Sequence, residues 1–298
     1  MSKERRQTKM HVAVWQFGRI YFVTISIIYI LSIALVAYVV WALVLFFMQP
    51  KFVFRPIRDV CYTPGELGLD YEDVPFSAAD GVKLHGWYVP AEDAHFTVLF
   101  CHGNGGNVAH RLDALDIFNR MGLNCFVFDY RGYGKSEGKP GEQGTYADAR
   151  AACDWLQSHK KVPPDRIIIL GKSLGASIAA HLAAERPARG LVLESGFTSY
   201  VDMGRRYYPY MPVRWFARFR YDTIGHIRRV KCPVLVLHSR DDTVVPFEFG
   251  RQLYEAAGEP KQFVELTGGH NDAFLVCAEL YENAWCKWLA FLESGPPE

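Results

Sequence analysis

The chain has 298 residues, half of them hydrophobic, with 33 basic and 32 acidic side chains and seven cysteines. That composition excludes a disordered, collagen-like or disulfide-stapled small protein. A formal net charge of +1 also excludes a protein held on nucleic acid by phosphate neutralisation, which needs a concentrated basic excess.

The first 50 residues carry one acid, Glu4, and five bases, Lys3, Arg5, Arg6, Lys9 and Arg19, leaving 28 bases and 31 acids in the remaining 248 residues. A basic segment, 1–19, therefore precedes an uncharged run at 20–48, whose 29 residues are mostly Ile, Val, Leu, Phe, Tyr and Trp. As a helix that run is about 43 Å long, against a hydrocarbon core of about 30 Å. It is about twice the length of a signal peptide's apolar region, and Gln49-Pro50-Lys51-Phe52 offers no small-residue cleavage site. The run is predicted to be an uncleaved transmembrane anchor. Five bases precede it and three, Lys51, Arg55 and Arg58, follow closely, so the positive-inside rule places the amino terminus in the cytoplasm and the body outside it. The cysteines show no CxxC or Cys/His zinc pattern and fix no redox compartment; Cys101 and Cys125, in apolar runs, read as small core residues.

A turn-rich linker, 49–75, leads to a body at 76–294. There, strand-like runs at 82–89, 96–101, 123–128, 166–170, 190–194, 233–238 and 261–266 alternate with helix-like stretches that include 109–120, 146–159, 174–186 and 247–257. Near-continuous apolar runs suit parallel strands buried on both faces, and the alternation with helices predicts a doubly wound α/β domain. The interval 197–231 breaks the rhythm, with no strand of its own.

The chemistry-bearing residues lie at predicted strand ends. His102-Gly103-Asn104-Gly105-Gly106-Asn107 follows the run at 96–101; a glycine-rich loop there can aim a backbone N–H, that of Asn104, at a developing oxyanion. Gly171-Lys172-Ser173-Leu174-Gly175 lies between a strand and an Ala-rich helix, the context in which GxSxG forms a sharp turn that projects a serine hydroxyl above the sheet; the N–H of Leu174 is then a second oxyanion donor. A phosphate-loop reading fails because Arg166 stands where the first glycine should, and Gly103 and Gly132 each open a GxG that lacks the third glycine of a dinucleotide fingerprint. Because a serine hydroxyl is a poor nucleophile, it needs a base and an orienting carboxylate. In the order nucleophile, acid, histidine, Asp241 or Asp242 follows the run ending at His238, and His270 follows Gly268-Gly269 after the last strand. His102, His238 and Ser195, also at strand ends, read as loop supports.

Together with Asp129-Tyr130-Arg131-Gly132-Tyr133-Gly134-Lys135-Ser136 and Glu194-Ser195-Gly196-Phe197-Thr198-Ser199, these motifs resemble the α/β-hydrolase superfamily over about residues 75–290, and more narrowly its membrane-anchored abhydrolase-domain serine hydrolases, which include monoacylglycerol and lysophospholipid lipases and depalmitoylases. The resemblance implies the α/β-hydrolase fold, a mostly parallel sheet flanked by helices, with a triad of Ser173, Asp242 and His270 and no metal or cofactor. It selects Asp242 over Asp241, because the family's acid stands four residues after the strand-end histidine in a loop ending Val-Pro, and it makes Asp129 a structural loop residue. Ser239 departs from the glycine usual in the family. The interval 197–231 takes the place of the family's cap; it holds nine aromatic residues and eight basic residues against Asp202 and Asp222, the composition of a surface seated on anionic lipid. The sequence thus predicts a single-pass membrane serine hydrolase acting on esters or thioesters of lipid-like or acylated substrates, with the bilayer as partner. A serine peptidase on the same fold and a non-catalytic hydrolase-like membrane scaffold are the alternatives.

Overall fold

The computed structural model of the chain describes residues 3–294. They divide after Gln49 into two compact units. The first is formed by all but the last turn of helix α1 (Lys3–Val53), which extends beyond the uncharged run at both ends. Its best 18-residue window has a mean hydropathy of 2.7, and it is long and apolar enough to cross a membrane. Its few hydroxyls turn back on the helix: Thr24, Ser26 and Ser32 each donate to the carbonyl four residues earlier, at 2.8–2.9 Å. Such bonds let a helix satisfy its own short polar side chains.

The second unit runs in the order β1 (Arg55–Pro56), β2 (Glu72–Ser77), β3 (Lys83–Val89), β4 (Thr97–Cys101), β5 (Gly105–Gly106), α2 (Leu112–Arg120), β6 (Asn124–Asp129), α3 (Glu142–Ser158), β7 (Ile167–Lys172), α4 (Leu174–Glu185) and β8 (Gly190–Glu194). It continues through α5 (Tyr200–Tyr207), α6 (Val213–Phe216), α7 (Thr223–Ile227), β9 (Val234–Ser239), α8 (Phe247–Ala256), β10 (Lys261–Leu266), α9 (Ala273–Val276) and α10 (Ala278–Ser294). Eight strands form one sheet in the order β10-β9-β8-β7-β4-β6-β3-β2. All neighbours are parallel except that β3 runs against both β6 and β2.

Strand period 2 explains why the central runs are apolar throughout. In β7, Ile167 and Ile169 face a core that includes Ala149 of α3, Ile178 of α4 and Leu253 of α8. Ile168 and Leu170 face the opposite core, with Phe118 of α2 and Trp285 and Trp288 of α10. Each such fully buried side chain contributes roughly 1.5–3 kcal/mol. Strand β2 has the opposite character. It begins inside the turn-rich stretch 49–75, carries Glu72, Asp73 and Pro75, and pairs with β3 alone. Charge and proline are what an edge strand needs to resist pairing with another chain, and they also hide it from a search for apolar runs.

The interval between β8 and β9 holds three short helices, α5 to α7, and no strand. Its base is pinned to α3: the Glu142 carboxylate accepts the backbone N–H groups of Arg220 at 2.7 Å and Tyr221 at 2.8 Å, and the Tyr221 and Thr145 hydroxyls are 3.0 Å apart.

Candidate active site

The turn from β7 into α4 places Ser173 at φ 55°, ψ −116°, a conformation in which a residue with a side chain is strained. The neighbouring glycines make the turn possible. A Cβ on Gly171 would lie 2.3 Å from the carbonyl oxygen of Gly175, and one on Gly175 would lie 1.9 Å from that of Cys101. Neither position has room for a side chain, so the sharp turn and the approach of α4 to β4 both require the GxSxG pattern.

His270 comes from the loop after β10, reached through Gly268 at φ +101°. Its Nδ1 lies 2.7 Å from Oδ2 of Asp242 and its Nε2 lies 3.0 Å from the Ser173 Oγ. The carboxylate only accepts, so Nδ1 carries the proton and the Nε2 lone pair faces the serine hydroxyl. Asp242, with its side chain wholly shielded from solvent, also accepts the N–H groups of Val244 and Val245 through Oδ1, both at 2.8 Å. Burial pushes its carboxyl up, but the bond to His270, the charge that ring carries when protonated and the two N–H groups outweigh burial and hold it below its ordinary value of 3.8.

Asp241 points elsewhere. Its carboxylate accepts the Gly268 N–H at 3.1 Å, while the Ser239 hydroxyl donates to the Gly268 carbonyl and accepts the Asp241 N–H at 3.1 Å. Ser239, the departure from the family's usual glycine, thus ties the loop bearing Asp242 to the loop bearing His270. His238 is buried beneath them and donates from Nε2 to the Val245 carbonyl at 2.9 Å. Burial lowers its pKa, as it does that of His102.

The glycine-rich loop is braced from several sides. Tyr130 and Tyr133 donate to the carbonyls of His102 and Asn104, each at 2.8 Å, and the Arg55 N–H also reaches the Asn104 carbonyl, at 3.0 Å. The Asn107 amide donates to the carbonyls of Ile57 and Asp59 at 3.1 and 2.7 Å, and β1 pairs with β5. Gly103 stands against Ser173: a Cβ there would be 3.6 Å from the serine Cβ. Asn104 is the next residue, and Leu174 opens α4 directly after the serine. Asp129 is wholly buried under this loop, where it accepts the Val108 N–H at 3.0 Å and lies 3.6 Å from His102.

One network had no signature in the sequence. Lys172, beside the serine, places its Nζ 2.7 Å from Glu194, 3.4 Å from the Asn271 carbonyl and 4.2 Å from the centre of the Phe274 ring. Tyr281 donates to the other Glu194 oxygen at 3.1 Å. This largely buried ion pair, between residues 22 apart that the β7–β8 register sets side by side, also reaches the His270 loop through Asn271, 99 residues from Lys172 along the chain. Among the described residues, no group of three or more His, Cys, Asp or Glu side chains is placed to hold a metal ion.

A hydroxyl hydrogen-bonded to an imidazole that is in turn hydrogen-bonded to a buried carboxylate can lose its proton to that imidazole as it attacks a carbonyl carbon. A family model described as serine aminopeptidase S33 matches residues 92–228. The alpha/beta hydrolase domain-containing protein WAV2 of Arabidopsis thaliana is 36% identical over 279 residues, covering 84% of this chain and 89% of its own length.

The chain belongs to the α/β-hydrolase superfamily.

A second relative of this hydrolase, the lysophosphatidylserine lipase ABHD12 of Danio rerio, is 33% identical over 210 residues, 63% of this chain and 53% of its own. Among solved structures, an esterase of Pyrococcus furiosus shares the fold with a TM-score of 0.67 and 24% identity, over 80% of this chain and 97% of its own.

Proposed function

We propose that this hydrolase is a serine hydrolase, anchored by α1, that cleaves carboxylic ester or thioester bonds of lipid-like or acylated substrates through an acyl-enzyme. The observation that carries the reading is the hydrogen-bonded chain from Ser173 through His270 to Asp242. In the first half-reaction the Ser173 Oγ attacks the carbonyl carbon as His270 Nε2 takes its proton, and the oxyanion is met by the N–H groups of Asn104 and Leu174. The tetrahedral intermediate collapses, the leaving alcohol or thiol takes the proton from His270, and the acyl group stays on Ser173. Water then repeats the sequence and releases the acid. Asp242 holds the His270 tautomer and balances the imidazolium without itself taking the proton.

The esterase and the lipase among the similar proteins favour ester chemistry, and the uncharged run of 29 residues in α1 favours a substrate that shares the bilayer. The description of the matching family model favours peptide amides instead, so both bond types belong in one test. The purified full chain, reconstituted in bilayer discs, is to be assayed against monoacylglycerols, lysophospholipids, acyl thioesters, short p-nitrophenyl esters and peptide amides. Esters or thioesters should turn over well ahead of amides. Turnover confined to amides would replace this reading with the peptidase, and no turnover of any class, without active-site labelling, would replace it with the scaffold.

A further inference from the structure

The cap's aromatic residues divide into two sets. Phe197 and Tyr221 are buried, and Phe219 and Tyr221 pack against Phe54 with ring centres 5.2 and 6.3 Å apart. That set completes the core. The second set faces solvent: Tyr207 and Tyr208 are 52% and 42% exposed, Tyr210 is 90% exposed and Trp215 is 84% exposed. Between Met203 and Tyr221 there is no Asp or Glu, and all five arginines, Arg205, Arg206, Arg214, Arg218 and Arg220, are exposed. Arg205 has an acidic neighbour, Asp202, at 3.6 Å.

We propose that this outer face of the cap, centred on Arg206, Tyr210, Arg214 and Trp215, is a docking surface for the anionic headgroup layer of a bilayer. The inner aromatics are taken up by packing, whereas Trp215 and Tyr210 present most of their surface to water. Tyrosine and tryptophan are the side chains that gain most at a headgroup layer, where the ring sits among acyl carbonyls and the polar edge stays wet. The arginines supply charge complementarity to anionic lipid, on a unit whose overall charge, these arginines included, is slightly negative. The same chain carries a candidate membrane span, which places headgroups at high effective concentration.

The face is also joined to the catalytic arm. Tyr207 donates to the Val244 carbonyl at 2.7 Å, and the Val244 N–H is one of the two that hold Asp242. Resting on the serine-hydrolase reading, docking would hold the catalytic unit at the surface that presents its substrate, and the substrate class would be lipids presented in anionic membranes.

The test uses the full chain in discs of phosphatidylcholine, with and without phosphatidylglycerol, and reads amide hydrogen exchange by mass spectrometry. Peptides spanning 203–216 should exchange several-fold more slowly in the anionic discs. Raised salt, or the combined variant Arg206→Gln, Arg214→Gln, Trp215→Ser, should abolish that protection while exchange in β4 and β7 stays unchanged. Equal exchange of 203–216 in both lipids, or protection that survives the variant, would overturn the proposal. Labelling of Ser173 by a fluorophosphonate in the same discs reports separately on the catalytic reading and should be unaffected by the variant.

Discussion

Replacing Ser173 with alanine should lower turnover by up to ~10⁶-fold while leaving the fold intact. The two halves of that expectation have different physical sources. Alanine keeps the Cβ and so carries the same backbone strain at φ 55°; the Ser173 N–H bond to the Glu194 carbonyl at 2.8 Å and the packing of α4 on β7 and β8 are untouched. What is lost is the one oxygen aligned with His270 Nε2. The backbone N–H groups of Asn104 and Leu174 would remain, so a residual acceleration of about 10³–10⁴ over water should survive. The check is turnover of a short p-nitrophenyl ester beside a thermal unfolding scan. A large loss of rate with an unchanged Tm supports the nucleophile assignment; a rate within tenfold of the parent chain removes it.

The second large effect separates two adjacent carboxylates. Asp242→Asn should cost on the order of 10⁴ in kcat, because an amide group donating to Nδ1 forces the proton onto Nε2, where it cannot accept from serine. Asp241→Asn should be mild, since the amide oxygen can still accept the Gly268 N–H. If Asp241→Asn proved the more damaging of the two, the acid would have to be reassigned. The electrostatics of Asp242 add a pH prediction. Its folded-state value lies below the ordinary 3.8, so its ionised form stabilises the fold at neutral pH. That stabilisation is present above the unfolded value and is lost as pH falls from about 3.8 through the lower folded value. Tm measured against pH should therefore show the parent chain losing a stabilisation over that acid window that Asp242→Asn lacks.

How much of this was legible beforehand depended on whether neighbours in space leave a pattern along the chain. Strands β4, β6, β7, β8 and β9 are buried on both faces and stand out as apolar runs; β2, with Glu72, Asp73 and Pro75, is an edge strand whose protective residues erase the signal. Ser173, His270 and Asp242 were named from motifs at strand ends, and the structure links their side chains in one hydrogen-bonded chain, with His270 3.0 Å from Ser173 and 2.7 Å from Asp242. The support around them left no local mark. Arg55, Ile57 and Asp59 strap the glycine-rich loop from a stretch that reads only as turn-rich, and Lys172 finds Glu194 across two parallel strands. Ser239 looked like a loosened match to the family, whereas its hydroxyl couples the acid and histidine loops. Composition alone also could not divide the cap's aromatics, because the same residue types serve a core and a headgroup layer; only the exposure of Tyr210 and Trp215 separates them.

The most direct measurement is the mass of the full chain after reaction with a fluorophosphonate, followed by mapping of the modified peptide. An activated serine should give one adduct per chain, on the peptide containing Ser173, lost in Ser173→Ala and greatly slowed in Asp242→Asn. No adduct, or an adduct on Ser177, Ser195 or Ser239, would contradict the assignment of Ser173 as the nucleophile and with it the proposed hydrolytic mechanism.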